Sequence, residues 1–208
     1  MLTLEAFEEA SEVVREVTLP TPLIFSEHLS NLTGNKVYLK PENMQLTGAY
    51  KVRGAYYKIS TLSKEERERG LITASAGNHA QGVAYAAGKC GAKAVVVMPT
   101  TTPLIKVERT RKLGAEVILY GDVYDESCEH ALQLAEEKGY TFIHPFNDEA
   151  VATGQGSIMM EIIRDLPTVD YVLVPVGAAA WLPAFPLWRN CSIRISGWSE
   201  WSRPVPPA

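Results

Sequence analysis

The chain has 208 residues, 46% of them hydrophobic and 21% charged, with a formal net charge of −4. That length supports a sizeable core in one large or two small domains, and the composition is globular, neither fibrous nor disordered. The acidic balance argues against nucleic acid as a partner, and no apolar run reaches the ~18 residues of a membrane-spanning helix.

Cys90, Cys128 and Cys191 show no paired spacing, which predicts reduced thiols in a cytoplasmic protein. The first ten residues are acidic and amphipathic, unlike a signal peptide. Leu4, Phe7, Ala10 and Val14 recur at helical spacing and predict a helix over 3–16, with Thr3 as N-cap. Pro20 and Pro22 form an extended entry. A short helix over 26–31, a turn at Gly34 and Asn35 and a strand over 36–40 follow. A helix then runs from Lys51 to about Leu62. Ser63 and Glu66 stand at the spacing of a capping box for a charged helix over 64–69.

From Gly70 the pattern becomes regular. Strands are predicted over 71–74, 94–98, 116–120 and 140–144, separated by helices over 77–89, 103–113 and 123–138. Gly91, Gly114 and Gly139 follow helices where C-caps fall. Strands alternating with helices of this length predict a parallel sheet with crossover helices, an α/β fold. A helix over about 151–164 and a strand over 171–176 continue it. Ligands in such sheets sit at the carboxyl ends of the strands, which puts residues 75–79 and Gly177 at candidate site edges.

Lys51 lies in Thr47-Gly48-Ala49-Tyr50-Lys51-Val52-Arg53-Gly54-Ala55. As a lone feature it is either a surface lysine at a helix start or a covalent anchor, since a dry pocket lowers an amine's pKa and frees it to act as nucleophile and base. Ser75-Ala76-Gly77-Asn78-His79 stands between a strand and a helix. It reads as a plain N-cap or as an anion site on main-chain N–H groups, with Gly77 allowing close approach. His79 fits a packing role as well as a catalytic one. No set of His, Cys, Asp and Glu has metal-ligand spacing, so no metal is expected.

The Lys51 segment, then Ser75 to Gly82, then Val174-Pro175-Val176-Gly177, in this order and at these separations, resemble the threonine dehydratases (threonine ammonia-lyases). These are pyridoxal-phosphate enzymes of the tryptophan-synthase-β fold type, fold type II. The resemblance covers residues 1–177 and includes 39–45, Lys106, 114–116 and 144–148. It implies a two-domain fold: residues 1–65 and 151–177 in a large cofactor domain that is incomplete here, and residues 66–150 in a small α/β domain. It implies pyridoxal 5′-phosphate held by Lys51 as a Schiff base, with Lys51 also taking the Cα proton. Asn78 would bond the ring's 3′ oxygen, with Tyr50 beside the ring, and Gly177 would open the phosphate cradle. Ser75, Gly77 and His79, with neighbouring N–H groups, would hold the substrate carboxylate. The implied activity is deamination of L-threonine, or L-serine, to the 2-oxo acid and ammonia, by a protein that forms homo-oligomers in the family. The other readings are a serine racemase-type enzyme and a non-catalytic α/β binding module. Ala76 stands where the racemases carry a proton-donating serine, and Ala49 replaces the family's usual serine two residues before the lysine.

After Gly177 the pattern breaks. All four tryptophans and five of the thirteen prolines lie beyond it, and Ala178-Ala179-Ala180 replaces the expected glycines. Loss of one base turns codons for three glycines and a leucine into Ala-Ala-Ala-Trp, and family-like strings are permitted when the shift is undone further along. Residues 178–208 are therefore expected to be an out-of-frame tail, and a chain so truncated is expected to bind the cofactor poorly.

Overall fold

The computed structural model describes residues 2–174. Gly177 and the expected tail over 178–208 lie outside the described residues.

Helix α1 (Leu4–Val14) starts where Thr3 accepts the Ala6 N–H, and it buries Phe7, Ala10 and Val14. The predicted strand over 36–40 shrinks to β2 (Tyr38–Leu39), which pairs antiparallel with β1 (Ile24–Phe25), a strand the prolines hid. Between them α2 (Glu27–Thr33) is capped by Ser26 and ends on Gly34 with φ 69°. A 3₁₀ turn (Glu42–Met44) leads to α3 (Lys51–Ser60), which is buried on nearly every side. The capping box of α4 (Lys64–Arg69) forms in both directions between Ser63 and Glu66.

The parallel sheet is four-stranded, in the order β5 (Glu116–Leu119), β4 (Ala94–Met98), β3 (Leu71–Ala74), β6 (Thr141–Phe142). Strand alternation divides its side chains between two layers. Leu71, Ala94, Val96 and Met98 face a core with α3, α5 (Asn78–Lys89) and Val107 of α6 (Leu104–Lys112). Ile72, Ala74, Val95 and Val97 face α7 (Tyr124–Lys138). The chain thus steps outward from β3 to β4 and β5, then returns across the other face to place β6 on the far side of β3. The strand order reverses between β3 and β6, and crevices in open α/β sheets form at such a point, outside the carboxyl ends of the strands.

Helix α8 (Glu149–Asp165), with Asp148 as N-cap, packs against α1 and α3. Its contact with α3 is unusually close: a Cβ on Gly154 would lie 2.7 Å from the Gly54 Cα and 2.8 Å from the Arg53 carbonyl oxygen. The strand predicted over 171–176 is a correction. Tyr171 makes a single bridge, residues 172–174 have no regular structure, and 175 and 176 lie outside the described residues. A strand needs a neighbour to exchange hydrogen bonds with, and among the described residues no ladder runs beside this segment. Among the described residues no helix is long and apolar enough to cross a membrane.

Candidate active site

Lys51 is the first residue of α3, and its side chain is taken out of water by the elements around it: the residue is 8% exposed. Its main chain is hemmed in by α5, where a Cβ on Gly82 would sit 3.1 Å from the Lys51 carbonyl oxygen. On the α8 side the buried Gln155 accepts the Gly54 N–H at 3.2 Å and reaches the Lys51 carbonyl at 3.5 Å. The Lys51 Nζ donates to the Pro145 carbonyl at 3.0 Å and lies 5.6 Å from the centre of the Tyr50 ring. Burial disfavours the ammonium form and lowers the pKa from 10.5 to about 8.

The Pro145 carbonyl stands just past β6, at the reversal of strand order. On the other side of that reversal, β3 ends at Ala74 and the chain runs through Ser75, Ala76 and Gly77 into α5. Gly77 is the N-cap of α5 and provides no side-chain cap. The main-chain N–H groups of the first turn are thus left for another acceptor. The Gly77 N–H itself donates to Ser75 Oγ at 3.3 Å. A Cβ at Gly77 would meet nothing within 4 Å, so the loop faces open space. Asn78, exposed, begins the helix.

His79 is 3% exposed, and its Nε2 lies 3.1 Å from the Ile143 carbonyl, to which it donates as the Nε2–H tautomer. Thr73 Oγ1 donates to the same carbonyl at 2.7 Å. Burial is the largest influence on this imidazole and drives its pKa down to about 3, so the ring stays neutral. With its side chain turned inward, His79 offers the loop its main-chain N–H. Lys51 and His79 therefore meet one segment, residues 143–145, through carbonyls two residues apart. Two predicted site regions, Lys51 and the loop 75–79, come together here on the His144-Pro145 segment. His144 itself acts locally, its Nδ1 accepting the Asn147 N–H at 2.7 Å. The Thr100 and Thr101 hydroxyls, after β4, donate to residues 121 and 122.

Two features of the site had no sequence assignment. Gln155, fully buried on α8, holds the first turn of α3. Arg53, fully buried two residues after Lys51, sits between two carboxylates. Its place beside the lysine in Lys51-Val52-Arg53-Gly54, and the glutamate in Lys40-Pro41-Glu42, were the available signals.

Over residues 14–182 the chain matches the family described as pyridoxal-phosphate dependent enzyme. The chain belongs to that family. Among curated proteins, it is 54% identical over 177 residues to an L-threonine ammonia-lyase of Thermotoga maritima, covering 85% of this chain and 44% of that protein. It is 47% identical over 178 residues to the catabolic L-threonine dehydratase TdcB of Staphylococcus aureus, covering 85% of this chain and 51% of that protein. The processed form of threonine deaminase isoform 2 from Solanum lycopersicum superposes with a TM-score of 0.86 at 41% identity, over 92% of this chain and 57% of that one. Maize serine racemase gives a TM-score of 0.88 at 31% identity, over 92% of this chain and 59% of that one. The chain spans about half the length of the curated relatives it matches.

The residues present suit pyridoxal phosphate. A buried amine of low proton affinity, an uncapped helix start and the open space over Gly77 are what an aldehyde-bearing, anionic ring compound requires.

Proposed function

We propose that this chain carries the cofactor lysine and the substrate-carboxylate loop of a lyase that converts L-threonine to 2-oxobutanoate and ammonia. The observation that supports it most directly is the Lys51 amine: buried, lowered to about 8, and brought to residues 143–145 beside the start of α5. The names and identities of the curated relatives support the same reading.

Pyridoxal phosphate, when bound, draws electron density away from the amino acid's Cα; that chemistry belongs to the cofactor, and the protein supplies orientation and charge. Lys51 and Asn78 would hold it on the described side, and Gly177, outside the described residues, is assigned to its phosphate. The main-chain N–H groups at Asn78 and His79, with Ser75, would bind the substrate carboxylate and so fix which Cα bond breaks. Near neutral pH the Lys51 Nζ can both hold and release a proton, since its pKa is about 8. It is therefore suited to take the Cα proton as the β-hydroxyl leaves. Neutral His79 adds no second positive charge beside that amine. Loss of water and ammonia, with one water returned on hydrolysis, leaves the 2-oxo acid.

A second reading, serine racemase chemistry, draws on the likeness to the maize enzyme. Ala76 opposes it, because a methyl group has no proton to deliver to the opposite face. The lyase reading also divides the chain into a small domain over 66–150 and a large domain built from 1–65 and 151–177. It places the protein in the cytoplasm as a homo-oligomer acting on a small amino acid, without nucleic-acid or membrane partners. The net charge of −4 and the unpaired Cys90 and Cys128 support that placement.

The test is to incubate the purified chain with pyridoxal phosphate, reduce with borohydride, and map the modified lysine. Label at Lys51, lost in K51A, with 2-oxobutanoate formed from L-threonine faster than any product from L-serine, is the expected outcome for a protein carrying the complete site. For the 208-residue chain itself, weak label and little turnover are expected. Label spread over surface lysines with none at Lys51 refutes the assignment.

A further inference from the structure

Among the described residues Arg53 is the largest side chain with no exposed surface, and all five of its N–H groups are taken. Nε donates to Glu42 Oε2 at 2.8 Å and the second terminal nitrogen to Glu42 Oε1 at 2.8 Å. The terminal nitrogens also donate to Glu161 Oε1 at 2.7 Å, Glu161 Oε2 at 3.1 Å and Ser157 Oγ at 3.1 Å. Glu42 comes from the 3₁₀ turn and Glu161 from α8, so three separate elements meet on one guanidinium. Lys40 completes the group, pairing with Glu161 and donating to the Thr21 carbonyl at 2.6 Å. Burial pushes the Glu161 carboxyl up, but Arg53 and then Lys40 outweigh it and hold it below the ordinary carboxylate value.

Apolar residues of equal volume would hold these elements together as firmly as a buried ion cluster does. What a planar fork with every donor occupied adds is a single orientation. Residues 51 and 53 leave an α-helix about 200° apart, so a clamp on Arg53 on one side fixes where Lys51 points on the other. Gln155, six residues before Glu161 on α8, holds the intervening main chain, and Gly54 against Gly154 leaves α3 no room to roll.

We propose that Arg53 is a positioning residue for Lys51: locked between Glu42 and Glu161, it sets the rotation of the first turn of α3 and thereby the direction of the lysine amine. The inference rests on the reading of Lys51 as the cofactor lysine for its purpose, but its geometry concerns the chain's own residues and its test needs no cofactor.

The test is competitive acetylation of the full 208-residue chain with acetic anhydride across pH, read peptide by peptide by mass spectrometry, with exposed Lys64 as internal standard. R53K keeps the charge but cannot span both carboxylates. S157A removes one bond and leaves both carboxylates paired. I72A weakens the core on the opposite face of the sheet and touches none of these groups. Tyr50, His79, His144 and Asp148, the titratable groups around the site, stay in every variant. In the wild type the Lys51 midpoint is expected at about 8, where burial lowers it. In R53K its midpoint is expected to rise by about one unit, a tenfold change in proton affinity, as the first turn loosens and water enters. In S157A it rises by less, and in I72A it stays. An unchanged Lys51 midpoint in folded R53K overturns the proposal, as does an equal shift in I72A. If R53K does not fold, an unchanged midpoint in S157A overturns it. Failure of pyridoxal phosphate to label wild-type Lys51 would refute the functional reading and leave this result standing.

Discussion

Replacing Gly154 with alanine tests the close contact between α8 and α3. The new Cβ would lie 2.7 Å from the Gly54 Cα, 2.8 Å from the Arg53 carbonyl oxygen and 2.8 Å from the Tyr57 Cβ. Carbon atoms in contact sit ~3.5–4.0 Å apart, and two of the three obstacles are main chain, which cannot swing aside. Helices α3 and α8 must therefore part by about 1 Å. Overpacking of this kind costs roughly 1–3 kcal/mol, and a collision with backbone belongs at the upper end. Alanine recovers about 1 kcal/mol of helix propensity over glycine. The net loss is about 2 kcal/mol, or roughly 4–8 °C in Tm for a chain of this size. Gly88 on α5 supplies the contrast, because its nearest obstacle is the Leu113 carbonyl oxygen at 3.9 Å. G88A gains the propensity without the collision and should raise Tm by about 2–4 °C. Thermal unfolding followed by circular dichroism measures both. A G154A chain as stable as the wild type would refute the packing argument, and so would equal losses in the two variants.

Three further outcomes are expected. Lys51 carries a pKa of about 8 in the fold against 10.5 when unfolded, so below pH 8 the unfolded chain holds its proton more tightly and the charged lysine opposes folding. K51M should be more stable than the wild type at pH 7 in urea unfolding, with the advantage shrinking between about pH 8 and 10.5 and absent above; a constant advantage across that window would contradict the burial argument. His79 is lowered from 6.5 to about 3, so its stability contribution is full above about pH 6.5 and is lost as pH falls toward 3; H79Q should show a flatter loss of stability between pH 7 and 4, measured the same way. S63A removes the hydroxyl that accepts the Glu66 N–H in an exposed capping box and leaves the residue-63 N–H donating to the Glu66 carboxylate; it should cost about 1 kcal/mol, seen first as faster amide exchange within α4.

Much of the fold from Ser63 to Phe142 was legible because its signals are local. The apolar run 94–98 is β4 residue for residue, and Ser63 with Glu66 marked α4. The pair β1–β2 was not legible: each strand has two residues, half their surface is exposed, and only pairing across the α2 segment makes them strands. The segment 171–174 failed in the opposite direction, a run with strand composition and, among the described residues, no ladder beside it. At the site, motif spacing singled out Lys51 and residues 75–79. Sequence could not say that Lys51 would be buried, since α5 and α8 close over it from 30 and 100 residues away. Nor could it find the Pro145 carbonyl, since a main-chain oxygen carries no residue signature. The reversal between β3 and β6 was likewise hidden, because alternation of strands and helices does not state their spatial order.

The cluster around Arg53 also constrains how this chain can change. Lys40, Glu42, Arg53 and Glu161 sum to zero charge, and each is the partner of another in the group. A substitution that neutralises any one of them strands a desolvated charge, at a cost of about 3–5 kcal/mol. Paired neutral replacements avoid that penalty. In a library of single substitutions these four positions should tolerate almost nothing, while double replacement of Arg53 together with Glu42, which leaves Lys40 paired with Glu161, recovers. Walking from the ionic arrangement to an apolar one therefore means crossing a valley, and stepwise change at low mutation rate would leave the cluster where it is.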